Sequence, residues 1–115
     1  YSGSIGLADA YADTSKNFYI RTGGTTQALK LDASQNAEFA GNFLPDGDND
    51  ADLGSASKRW ANLFVGDLEL SNEGSGGNDV DGTEGKWTIQ EGEENLYLLN
   101  RKNNKKYKFL LEEIE

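Results

Sequence analysis

Three runs near the end of the chain, "KWTIQEG", "ENLYLLNR" and "KKYKFLLEEI", alternate large apolar residues with polar ones at a period of two and are parted by turn-forming clusters. That period belongs to β-strands, whose successive side chains leave on opposite faces, and it does not suit a helix of 3.6 residues per turn. Trp87 and Ile89 alternate with Thr88 and Gln90; Leu96, Leu98 and Asn100 with Tyr97 and Leu99; Tyr107 and Phe109 with Lys108 and Leu110. Joined through Glu91-Gly92-Glu93 and Lys102-Asn103-Asn104, they predict a β-meander over residues 86–115. Three short strands leave two open edges and little core, so such a sheet needs partners. Large residues on both sides of "LYLL" and "FLLEEI" predict that both faces are covered, most economically by symmetry-related copies.

The same logic applies upstream. "NFYIRTGG" meets "TQALKLD" across Gly23-Gly24, a β-hairpin signal in which Phe18 and Ile20 alternate with Tyr19 and Arg21. "AEFAGNFL" reads as a third strand, closed by Pro45-Asp46-Gly47, where proline presets φ and glycine relieves the next position. Beyond Leu53-Gly54, Ser55 or Ser57 offers an N-cap for one short helical turn near 55–61, before "LFVGDLEL" resumes alternation by Leu63. Residues 71–85, "SNEGSGGNDVDGTEG", read as a flexible linker or long exposed loop and as the best boundary in the chain. Residues 1–15 read as extended or irregular. The expectation is an all-β chain of short antiparallel strands in four segments: 1–36, 37–70, the 71–85 loop, and the C-terminal meander 86–115.

Composition narrows the functions. With 115 residues, 36% of them hydrophobic, the chain has little apolar area to set against about 1–2 kcal/mol of backbone entropy per ordered residue, so association with copies of itself is expected. Fourteen glycines and one proline favour turns over long helices. The absence of cysteine and histidine removes disulfides, thiolate and imidazole metal ligands and histidine acid-base chemistry; neither an enzyme nor a cofactor is expected. A net charge of -9 argues against nucleic-acid binding. No run approaches the ~18 apolar residues of a membrane span, so no membrane insertion is expected. A chain starting at Tyr1 rather than Met reads as part of something longer.

In "DADLGSASKRWANLFVGDLEL", Leu53 before Gly54 and Trp60 at the exit of a polar turn read as two apolar anchors that seal one end of a thin β layer. The wider stretch "FAGNFLPDGDNDADLGSASKRWANLFVGDLEL" resembles a motif of tail-fibre and other fibrous structural proteins of tailed bacteriophages, through Gly41, Asn42, Pro45, Asp52, Leu53, Gly54, Ser55, Arg59 and Trp60. "GKWTIQEGEENLYLLNRKNNKKYKFLLEEI" resembles the closing segment of virion proteins of marine and cyanobacterial phages. Together the two matches span residues 37–115, whereas the first 36 residues match only as generic fibre sequence. The resemblance implies an elongated, intertwined homotrimer on the virion, in the phage tail or fibre, joined to other virion proteins upstream. Leu98, Leu99, Phe109, Leu110 and Leu111 would lie near its axis. No self-cleaving C-terminal chaperone of the kind that ends many phage fibres is recognisable.

Several residue groups invite sharper chemistry. Asp46, Asp48, Asp50 and Asp52 alternate as hard oxygen ligands for a cation, but Ala51 and Ser57 stand where an EF-hand loop needs glycine and glutamate, and a solvated acidic turn is the preferred reading. Arg101, Lys102, Lys105, Lys106 and Lys108 form the one basic concentration, read as exposed charge paired with Glu93, Glu94, Glu112 and Glu113, or alternatively as a patch for anionic glycans. Trp60, Trp87, Tyr97 and Tyr107 read first as intersubunit packing; with Arg101 and Lys105, the last three are the candidates for contact with host polysaccharide. The pairs Asp79/Asp81 and Glu93/Glu94 lie in turn contexts with no sign of the burial that would separate a glycosidase acid from its base. The reading is the C-terminal part of a tail fibre that assembles as a trimer and attaches to host surfaces. The alternatives are a connector or decoration fibre that binds only virion proteins, and the non-catalytic end of a polysaccharide-degrading tailspike.

Overall fold

The computed structural model describes residues 16–24 and 26–115, so the expected irregular segment 1–15 lies outside the described residues. These contain seven strands and no helix, arranged as two antiparallel sheets. The chain divides between Ser55 and Ala56 into two compact units, each holding one sheet.

The first sheet orders β1 (Phe18–Thr22), β2 (Thr26–Leu31) and β3 (Ala37–Phe39) as β1-β2-β3. Gly23 and Gly24 turn the β1-β2 hairpin with φ of 64° and 89°, a region that side chains with a Cβ rarely enter. Register places Phe18 opposite Leu31 and Leu31 opposite Ala37, then Ile20 opposite Leu29 and Leu29 opposite Phe39, so one face is apolar throughout. The other face carries Tyr19, the Lys30–Glu38 ion pair, and the Arg21 guanidinium 4.6 Å over the Tyr19 ring. The Glu38 carboxylate holds the Lys30 ammonium above its ordinary pKa. Between β2 and β3, Asp32 Oδ1 accepts the N–H groups of Ser34 and Asn36, both at 2.9 Å. Those bonds, Asn36 first, hold its carboxyl below the usual range.

The third strand is shorter than its sequence predicts: "AEFAGNFL" pairs only over Ala37–Phe39, with one more bond from Ala40 N to Ala28 O. On its other side β2 is irregular: Ile20 pairs with Leu29 and Arg21 with Gln27, which leaves Ala28 in a bulge against β1.

The second sheet orders β4 (Leu68–Ser71), β5 (Lys86–Glu91), β6 (Leu96–Asn100) and β7 (Lys106–Lys108) as β4-β5-β6-β7. The meander read from the sequence is its last three strands. The stretch 71–85 is no boundary between units; it connects β4 to β5, which pair from Leu68↔Ile89 to Ser71↔Lys86. The helical turn near 55–61 is absent, and that stretch is a series of bends. Seven residues with no apolar face to pack cannot repay the cost of nucleating a helix. Likewise "LFVGDLEL" becomes a strand only from Leu68; in that register β5 runs out opposite Gly66, so Leu63, Phe64 and Val65 have no ladder partner on it.

Candidate functional site

Pairing fixes which side chains of the second sheet share a face. Leu68, Ile89, Leu98 and Tyr107 form one cross-strand row; Leu70, Trp87 and Asn100 form the next; Leu96 lies on the same side. Phe109 extends this face, since its N–H donates to Leu96 O at 2.9 Å. The Trp87 and Tyr107 rings lean together with centroids 5.9 Å apart. Eight large apolar side chains thus occupy one side of a single-layer sheet, yet no hydrophobic residue among the described ones is buried.

The opposite face is polar and internally bonded. Thr88, at 0% exposure, is the single buried residue among those described. Its hydroxyl donates to Glu69 Oε2 at 2.7 Å and accepts from Arg101 Nε at 2.9 Å, so both of its hydrogen-bonding roles are met by charged side chains, one from β4 and one from the turn that follows β6. Gln90 Nε2 donates to Asp67 Oδ2 at 3.1 Å in the adjacent row. Two rows result: Glu69, Thr88, Leu99, Lys106, and Asp67, Gln90, Tyr97, Lys108. Each is acidic at the β4 edge and basic at the β7 edge.

The loop between β4 and β5 binds itself together. Asn72 Oδ1 accepts from Gly85 N at 2.6 Å while its amide donates to Thr83 O. Asn78 Oδ1 accepts the N–H groups of Val80 and Asp81, and Glu84 Oε2 accepts from Gly74 N at 2.6 Å. Asp81 Oδ1 accepts from the hydroxyl and N–H of Thr83 and from the Asn78 amide; these bonds, the Thr83 hydroxyl first, hold its carboxyl below the usual range. A recess of about 510 Å³ lies between this loop, Trp87, Asn100 and Lys102. Its polar groups are largely spent on the loop: Lys102 Nζ donates to Glu84 O, and Asn100 Oδ1 accepts from Lys102 N and Asn103 N.

The residues singled out in sequence scatter accordingly. Leu98 lies on the apolar face, but its neighbour Leu99 lies on the polar one beside Thr88, because adjacent strand residues cannot share a face. Leu110 and Leu111 follow the end of β7, outside any strand, at 92% and 68% exposure. Of the polysaccharide candidates, Trp87 and Tyr107 stand on the apolar face, Tyr97 and Arg101 on the polar face, and Lys105 in the β6-β7 turn, so the five do not converge. Leu53 and Trp60, the expected anchors, are 64% and 68% exposed; Arg59 is exposed beside Trp60, and Gly54 bends the chain with φ 84°. Neither apolar side chain seals a layer within its own unit. Asp46, Asp48, Asp50 and Asp52 are all exposed, and no three acidic side chains among the described residues gather as a metal site. The basic residues 101–108 form no ion pair with Glu93, Glu94, Glu112 or Glu113; Arg101 is turned instead onto Thr88.

The Glu69–Thr88–Arg101 cluster escaped sequence reading because its members are 19 and 13 residues apart. Only strand register reveals it, although each lies at a polar position of an alternating run. Comparison with known proteins adds no relative: no family model, no curated protein and no solved structure matches this chain.

Proposed function

We propose that this chain is a structural, self-assembling segment of a bacteriophage tail fibre, carried on the virion as a homotrimer. The observation that carries the reading is the uncovered apolar face of each sheet, in a chain whose described residues include no buried hydrophobic side chain. The ordered fibre-like pattern over residues 37–115 supports the virion setting.

Host-surface attachment belongs to the same proposal. If the apolar face is covered by copies, Trp87 and Tyr107 go with it, and a polysaccharide would meet Tyr97, Arg101 and the turn bearing Lys105. The test is the mass of the purified chain in solution by light scattering, with Leu98→Asp as the comparison. Three times 12.5 kDa for the native chain, falling to a single chain for the variant, is the expected result. A native monomer would overturn the reading.

A further inference from the structure

We infer that the second sheet joins its copies edge to edge and head to tail, with β7 of one chain pairing antiparallel to β4 of the next. This deepens, and rests on, the trimeric reading above. The two free edges of the sheet are chemically opposite on its polar face: β7 ends the rows with Lys106 and Lys108, and they begin at Glu69 of β4 and at Asp67 just before it. Glu69 and Asp67 each use one carboxylate oxygen within their own sheet, through Thr88 and Gln90, and keep the second for an outside donor.

Strand direction matches charge. Consecutive antiparallel pairing makes β7 run opposite to β4, so β4 of a second copy added beyond β7 continues the antiparallel order. A register that sets Lys106 beside Glu69 of the next copy also sets Lys108 beside Asp67, because one strand ascends as the other descends. On the reverse face, the same register brings Tyr107 beside Leu68 of the next copy, which carries the apolar row across the junction. The alternatives are penalised. A two-fold contact through β7 places lysines opposite lysines, and one through β4 places carboxylates opposite carboxylates. A head-to-tail contact uses different patches on each side, and it closes as a ring where the rotation between successive copies adds up to a full turn.

Sheet width selects three copies. Four strands spaced at about 4.8 Å make a sheet roughly 19 Å wide. Three such sheets around an axis stand about 5.5 Å from it, close to half of the ~10 Å at which packed sheets settle, so their side chains fill the centre. Four sheets would stand about 9.5 Å away and leave a void, while two stacked sheets leave their edges unjoined.

The test reverses one row remote from Thr88. In the full chain, Lys108→Glu and Asp67→Lys are made singly and together, and assembly is followed by sedimentation equilibrium, with circular dichroism reporting the strands. Each single change turns an attraction into a repulsion at every junction. The expected weakening is roughly fivefold per interface and roughly a hundredfold over three. The double exchange restores assembly, because the acid and the base have then traded sides of the same junction and attract again. Lys106→Glu with Asp67→Lys, which mismatches the rows, does not. A native trimer unmoved by either single change, or not restored by the double exchange, overturns the edge pairing and leaves the trimer standing. A native monomer overturns both.

Discussion

Replacing Thr88 by valine tests how the second sheet is held together, because the substitution keeps shape and removes only the hydroxyl. Thr88 is fully buried on the polar face, and its Oγ1 makes two bonds to charged partners, Glu69 Oε2 at 2.7 Å and Arg101 Nε at 2.9 Å. A hydrogen bond to a charged group contributes about 1.5–3 kcal/mol where the partner cannot find water. Glu69 and Arg101 are exposed side chains that recover part of that solvation, so the pair of bonds together is worth about 1–2 kcal/mol per chain. At about 4–8 °C per kcal/mol for a unit of this size, Thr88→Val lowers the melting temperature by about 4–16 °C. Calorimetry measures it, and a double-mutant cycle with Glu69→Gln separates coupling from individual effects. A valine variant that melts at or above the native temperature would refute the assignment of sheet stability to this cluster, since the methyl group would then serve the site as well as the hydroxyl.

The loop between β4 and β5 supplies two further predictions. A methyl group at Gly77 would collide with the carbonyl oxygen of Gly82, at a φ of 102°, so Gly77→Ala costs about 1–3 kcal/mol. Gly74→Ala, with open space around it, costs less in the same thermal unfolding experiment. Asp81 has its carboxyl pKa depressed in the folded loop by Thr83 and Asn78, so its contribution is complete above the ordinary aspartate range and fades as pH falls through the depressed value. Hydrogen exchange at Thr83 N–H, corrected for intrinsic rates, is expected to quicken below about pH 4 in the native chain and to lose that pH dependence in Asp81→Asn. Equal protection at about pH 3 and pH 6 in the native chain would contradict it.

The strands were legible wherever alternation and turn chemistry coincided. "NFYIRTGG" with "TQALKLD" announced a hairpin because both the β-branched run and the paired glycines are local signals, and the chain adopts it. Residues 55–61 misled because Ser55 and Ser57 are N-cap residues locally, while the stretch is exposed throughout and forms only bends. Residues 71–85 looked like a boundary because glycine, serine and carboxylates mark linkers. Here Asn72, Asn78, Asp81 and Glu84 spend those polar groups on one another, an arrangement that composition does not encode.

What the sequence by itself determined is the β character of the chain and its shortage of interior: period-two alternation forces strands, and 36% hydrophobic content limits what they can bury. It also placed Trp87, Leu98 and Tyr107 at apolar strand positions. Tertiary structure alone decided which of those positions meet. "LYLL" reads as apolar on both sides until pairing sets Leu98 beside Ile89 and Tyr107 and leaves Leu99 beside Thr88. The acid-to-base order of the polar rows is equally invisible in one dimension, because it joins residues from strands scattered between Asp67 and Lys108. The physical reason is common to both: side-chain direction is a local property of the strand, but its neighbours are set by register, which hydrogen bonds between distant segments fix only when the sheet forms.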